Sequence, residues 1–101
     1  MKLLTKAIEK VIPALYTNDG KDPEEVKICA KFFCPWNQWT WYATEYDPEQ
    51  GLFYGYVKGS ASEYGYFTLE ELEYVRGPFG MKIERDRNFT GNLSDVVEVS
   101  G

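Results

Sequence analysis

Apolar and polar positions along the chain change period four times, and each change predicts an element. From Leu4 to Leu15 the apolar residues Leu4, Ile8, Val11, Ile12 and Leu15 fall near one helical face, with Lys6, Glu9 and Lys10 on the others. This predicts a first helix, capped by Thr5 and ending around Pro13. Thr17 to Glu25, TNDGKDPEE, is turn chemistry. Alternation then takes over. Val26 to Phe33, Trp39 to Tyr46, Leu52 to Gly59 and Glu63 to Leu69 read as four strands, rich in Trp, Tyr, Thr and Phe. Their connections are short turns at Pro35 with Asn37-Gln38, at Asp47 to Gly51, and at Gly59-Ser60, which favours an antiparallel meander.

Helical spacing returns at Thr68. The pattern TLEELEYV has Thr68 and Glu71 in capping-box positions and Leu69, Leu72 and Val75 on one side, so a short helix follows the fourth strand and stops at RGPFG. MKIERDRNF is expected to be extended, and Leu93 to Val99 a short C-terminal helix capped by Ser94. The predicted class is α+β: a four-stranded antiparallel meander sheet with an N-terminal helix, a short helix after the fourth strand and a short C-terminal helix. With 101 residues and 44% hydrophobic composition there is material for one core, so residues 1–101 are read as a single domain, frayed at Met1 to Leu3 and Glu98 to Gly101.

The strands split into two faces. One holds Val26, Ile28, Ala30, Phe32, Trp39, Trp41, Ala43, Phe53, Gly55, Val57, Phe67 and Leu69; it is apolar throughout and predicts the side the helices cover. Trp39 and Trp41 are accordingly expected in the core, while Trp36, in the turn, fits either role. The other face holds Lys27, Cys29, Lys31, Phe33, Thr40, Tyr42, Thr44, Tyr54, Tyr56, Lys58, Tyr64 and Tyr66. A tyrosine face of this kind is either covered, by the C-terminal segment or a second subunit, or is a binding surface.

Composition narrows the chemistry. There is no histidine, which removes Ser-His-Asp and Cys-His machinery and histidine-ligated metals. Two cysteines, Cys29 and Cys34, are too few for a disulfide framework or a structural zinc site, and are read as free thiols in a reducing cytoplasm. No metal and no cofactor is predicted. Lys6, Glu9 and Lys10 interrupt what would be a signal-peptide core, and no stretch is apolar enough for a membrane span, so a soluble cytoplasmic protein without a membrane partner is expected.

The net charge is −5, and it is uneven: residues 1–44 carry six lysines and five acids, +1, whereas residues 45–101 carry five Lys/Arg and eleven acids, −6. Single-stranded nucleic acid stacking on Tyr42, Tyr54, Tyr56 and Tyr66 is therefore the weaker of two binding readings, because such proteins show a basic footprint. Glu70, Glu71 and Glu73 on the second helix, with Glu45, Asp47, Glu49 and Glu63 in nearby turns, form an acidic surface that could imitate nucleic acid, although a solubilising shell is the commoner use. In IERDR, Glu84 and Asp86 share a strand face and could hold a hard cation or do acid/base work; pairing with neighbouring arginines is commoner still. RGPFG reads as a structural turn carrying an exposed Phe79.

The segments LLTKAIEKVIPALY, KFFCPWNQWTWYATEYD, FYGYVKG, YGYFTLEEL and RGPFGMKIERDRNF together resemble the domain of unknown function family 2958, over roughly Leu3 to Val97. The most specific of these are the PW-x-x-WTWY stretch and the late ERD. The resemblance implies small bacterial proteins often encoded on plasmids, conjugative elements and phages. It implies no activity and no site residues. The expectation is a non-enzymatic accessory protein of mobile-element type, monomer or homodimer, that binds a host or mobile-element protein. A single-strand nucleic-acid binder is the alternative and a small metal-dependent enzyme the third.

Overall fold

A computed structural model describes residues 2–97. Its centre is an antiparallel sheet of five strands, β1 (Ala30–Phe33), β2 (Thr40–Asp47), β3 (Leu52–Lys58), β4 (Ser62–Thr68) and β5 (Glu84–Arg85), in the order β4-β3-β2-β1-β5. The meander β1 to β4 is as the alternation predicts. The fifth strand corrects the expected count of four: the extended ERDR stretch returns to pair antiparallel with β1, Phe32 opposite Arg85 and Phe33 opposite Glu84.

Helices α1 (Lys6–Val11) and α2 (Leu69–Tyr74) flank the sheet, and both begin at a threonine whose hydroxyl accepts an orphan helix amide: Thr5 from Ile8 N–H at 3.3 Å and Thr68 from Glu71 N–H at 3.0 Å. Neither runs beyond two turns, so their stability comes from packing rather than propensity. Ile8 and Ile12 of the first and Leu72 of the second join Leu3, Leu4, Phe32, Ala43, Tyr46, Phe53, Phe67 and Ile83 in the main core. Leu3 is thus anchored, contrary to the fraying expected at the start of the chain, while Met1 and Glu98 to Gly101 lie outside the described residues. Val11, predicted on the buried face, is exposed at the last position of α1.

Two irregularities redirect side chains. In β2 the register with β3 shifts between Ala43 and Glu45, so Thr44 bulges and its hydroxyl donates to the Tyr54 carbonyl at 3.1 Å. Tyr46 thereby joins the core face and Glu45 the tyrosine face. Gly55 permits this, since a Cβ there would lie 1.8 Å from the Tyr42 carbonyl oxygen. In the second, the chain parity changes at Cys29–Ala30: Cys29 N–H donates to the Ala43 carbonyl while Ala30 is also the partner of Ala43. Val26 and Ile28, assigned by alternation to the helix-covered face, therefore lie on the tyrosine side. The strand predicted from Val26 starts four residues later for the same reason.

The predicted C-terminal helix is a single 3-10 turn, Leu93–Asp95, closed by reciprocal bonding of Asn92 and Asp95; Glu98 and Val99 of the expected helix are outside the described residues. The segment leading to it runs antiparallel to Val26–Ile28, with Ile28 N–H to the Gly91 carbonyl and Leu93 N–H to the Val26 carbonyl, both 2.9 Å. The tryptophans divide. Trp41 packs on the core and Trp36 lies over Gly77, but Trp39 is exposed, tilted against Trp41 with ring centroids 5.9 Å apart and lying over Gly59. Trp39 sits at the open end of the sheet, where no helix reaches, which corrects its expected place in the core.

Candidate functional site

The tyrosine face is half covered and half open. On the covered half, Tyr42 and Tyr56 pack with Val26, Ile28 and Leu93, and Phe89, Val96 and Val97 complete the layer. Phe89 lies 5.6 Å from the Tyr42 ring, and the Lys31 ammonium sits near both rings while pairing with Asp86 at 3.7 Å. Burial, with Asp86 adding to it, holds the Tyr42 phenol above its ordinary range. Tyr42 and Tyr56 therefore offer no free ring face, and the expectation that they act as stacking platforms is corrected: the chain covers them itself.

On the open half stand Tyr54 of β3 and Tyr64 and Tyr66 of β4. Tyr54 stacks parallel to Tyr64 at 6.4 Å and meets Tyr66 edge-on at 5.0 Å, and both β4 rings are exposed. Tyr64 also meets the covered Tyr56 edge-on at 5.1 Å, so the two halves are continuous. Tyr16 completes the group from the loop after α1. Its hydroxyl bonds the Tyr66 hydroxyl, an interaction that leads the causes holding the Tyr66 phenol above its ordinary range. Burial first, then the Glu45 and Asp19 carboxylates, raise Tyr54. The raised phenols of Tyr54, Tyr64 and Tyr66 are thus held in their neutral, hydrogen-bonding form.

The bulge in β2 explains how Tyr16 gets there. Glu45, turned onto this face and buried, accepts the Tyr16 amide at 2.9 Å and the Asn18 amide at 2.7 Å, one on each carboxylate oxygen. Tyr16 itself has φ 74°, a left-handed conformation a tyrosine adopts only when held. Glu45 is thus a buried clamp for the loop, which corrects its expected place in an exposed acidic turn. Beside it, Asn18, Asp19, Lys21, Thr44, Tyr54 and Leu93 border a cleft of about 220 Å³ at the boundary between the halves.

The remaining candidates do not converge on this surface as a single set. Glu70, Glu71 and Glu73 are exposed on α2, beyond the end of β4. Phe79 is fully exposed at the tip of the RGPFG turn, with φ 58°, and Trp36 is half-buried. Glu84 lies in β5, whereas Asp86 is engaged by Lys31 and by the Asn88 amide at 3.0 Å. Among the described residues no group of three or more His, Cys, Asp or Glu is placed to hold a metal ion. Cys29 and Cys34 are free thiols, both raised by burial. No helix among the described residues is long and apolar enough to cross a membrane.

Tyr16 and Glu45 are the members that sequence reasoning misses, and Tyr64, although placed on the tyrosine face, is not among the rings it singles out for binding. The signal for Glu45 is the conflict between Trp41 and Ala43 on one face and an equally apolar Tyr46 three residues further on, which only a bulge resolves. Tyr16 has no periodic signal at all. Compared with known proteins, residues 3–99 match the family model described as protein of unknown function, DUF2958. No curated protein and no solved structure matches.

Proposed function

The chain belongs to the DUF2958 family, and from that premise we propose that it is a non-enzymatic accessory protein whose open tyrosine surface binds another protein, of the host or of the mobile element that encodes it. The observation that carries this reading is the group of exposed Tyr16, Tyr64 and Tyr66 around half-buried Tyr54, whose outer rings are held by one another and by the Glu45 clamp before any partner arrives. Tyrosine is enriched at binding hot spots because it presents a large apolar area with a polar tip at small entropic cost. Rings already fixed lose little freedom on binding. The carboxylates of Asp19 and Glu45 lie close to these rings, with Lys21 on the neighbouring cleft, and the chain as a whole carries a net charge of −5. That charge favours a partner with basic groups and opposes a phosphate backbone.

The test is affinity capture of the tagged protein from a host lysate, with and without nuclease. A stoichiometric protein that survives nuclease, and that Tyr64→Ala with Tyr66→Ala releases, is the expected result. Nucleic acid in the eluate, with the accompanying proteins lost on nuclease treatment, would overturn it in favour of base stacking on the same open rings.

A further inference from the structure

Among the described residues, no strand covers the edge of the sheet beside this surface. β4 is the outermost strand, seven residues long, and no described strand lies beyond it. Its ladder with β3 fixes which backbone groups point outward. Leu69 N–H donates to the Gly51 carbonyl and Gly59 N–H to the Ala61 carbonyl, so on the β4 side the odd-numbered residues exchange bonds with β3. Tyr64 and Tyr66, each one residue out of that phase, turn their amides and carbonyls to the open side. Exposed edges are ordinarily protected by proline, lysine, a bulge or extreme shortness. β5, the opposite edge, has only two residues, one of them Arg85. β4 has neither proline nor lysine, and its pairing is regular along its whole length.

The sequence of this edge, Ser62-Glu63-Tyr64-Gly65-Tyr66-Phe67-Thr68, is close to symmetric about Gly65. We propose that β4 pairs antiparallel with β4 of a second copy of this chain, about a twofold axis at Gly65, joining two five-stranded sheets into one of ten. In that register Tyr64 lies opposite Tyr66 of the other copy, both with outward backbone groups, so the two exchange N–H···O bonds in each direction. Ser62 faces Thr68, and Gly65 meets Gly65. The one charged residue of the strand, Glu63, falls opposite Phe67 and four residues from its own counterpart. At about 3.3 Å per residue that is about 13 Å, more than the Debye length of about 8 Å at physiological salt, so like charge does not forbid the pairing. A Cβ added at Gly65 would meet nothing within 4 Å, so the strand centre is open to close approach.

The consequence concerns the face as well as the edge. Pairing uses backbone groups, leaving the rings on the surface, and it brings the Tyr54, Tyr64 and Tyr66 group of each copy side by side on one sheet. The inference rests on the edge geometry and stands apart from the choice of partner. Its test can fail while the partner reading holds, and the reverse.

Three readouts decide it. Light scattering of the wild type should give twice the 11.7 kDa chain mass, with Tyr64→Pro falling to the monomer and Tyr64→Ala weakening the dimer less, because only proline removes the outward donor. Gly65→Cys should form an intermolecular disulfide on mild oxidation that the wild type, with Cys34 buried and Cys29 half-buried, does not. In the unmodified protein, amide exchange at Tyr64 and Tyr66 should be as slow as at the inward-pointing Gly65 and Phe67. A monomer at every concentration, fast exchange at Tyr64 and Tyr66 beside slow exchange at Gly65 and Phe67, or no cross-link overturns the proposal, and the edge would then be open to a strand from a different protein.

Discussion

The two halves of the tyrosine face share strands, residue type and alternation, yet one is core and the other surface. Tyr56 and Tyr54 are two residues apart on β3. The first is buried under Leu93 and its neighbours; the second stacks against exposed rings. Nothing in the strands themselves distinguishes them. The difference lies in where the C-terminal segment runs, and that is set by its antiparallel pairing with Val26–Ile28 at one end of the sheet. Periodicity tells which residues share a face, and a separate element decides whether that face is wet.

The comparison can be broken most forcefully at Leu93. Leu93→Ala removes the buried centre of the cover and should cost about 3 kcal/mol in denaturant unfolding. It should also raise the solvent accessibility of Tyr42 and Tyr56, leaving Tyr64 and Tyr66 as they were. On the open side the corresponding change is Glu45→Ala, which strips two part-buried amides of their carboxylate acceptor and should cost about 2 kcal/mol. There the loss should include ordering of the Tyr16 loop, visible as faster amide exchange at Tyr16 and Asn18. Thr68→Ala, at the α2 cap next to β4, should cost about 1 kcal/mol by the same measurement.

Tyr64→Ala with Tyr66→Ala sharpens the contrast from the other direction. The unfolding midpoint should stay near that of the wild type, and binding of the captured protein should fall at least about tenfold, the behaviour of a hot spot rather than a core. The smallest effect is that of pH. Tyr42, Tyr54 and Tyr64 have phenols raised in the folded state, chiefly by burial. The neutral form is the one the fold favours, so this contribution is fully present below the unfolded tyrosine value of about 10 and is lost as pH rises through the higher folded values. Stability across neutral pH should therefore be insensitive to tyrosine ionisation, with a decline confined to strongly alkaline solution.

Much of this architecture is legible in the chain. The meander follows from alternation and short turns, and both threonine caps from their place before an apolar helical face. Three features are not. The fifth strand is only two residues long, and although its stretch reads as extended, nothing in Glu84-Arg85 says that it pairs with β1. The bulge at Thr44 changes which side Glu45 faces, and its cause, the absent Cβ of Gly55, is ten residues away in sequence and adjacent only across the sheet. Trp39 belongs by parity to the core face but stands past the reach of the helices, so alternation places the ring correctly and its burial wrongly. On the candidate surface, Tyr54 and Tyr66 come from the strand pattern, whereas Tyr16 depends on a carboxylate 29 residues later in the chain.

The most direct test of the claim that one half is closed and the other works is hydroxyl-radical footprinting, read by mass spectrometry, on the protein alone and in complex with the protein it captures. The account predicts that Tyr16, Tyr64 and Tyr66 are modified in the free protein and shielded in the complex, with Tyr42 and Tyr56 protected in both. Equal modification of the two halves in the free protein, or unchanged modification of Tyr64 and Tyr66 in the complex, would contradict it.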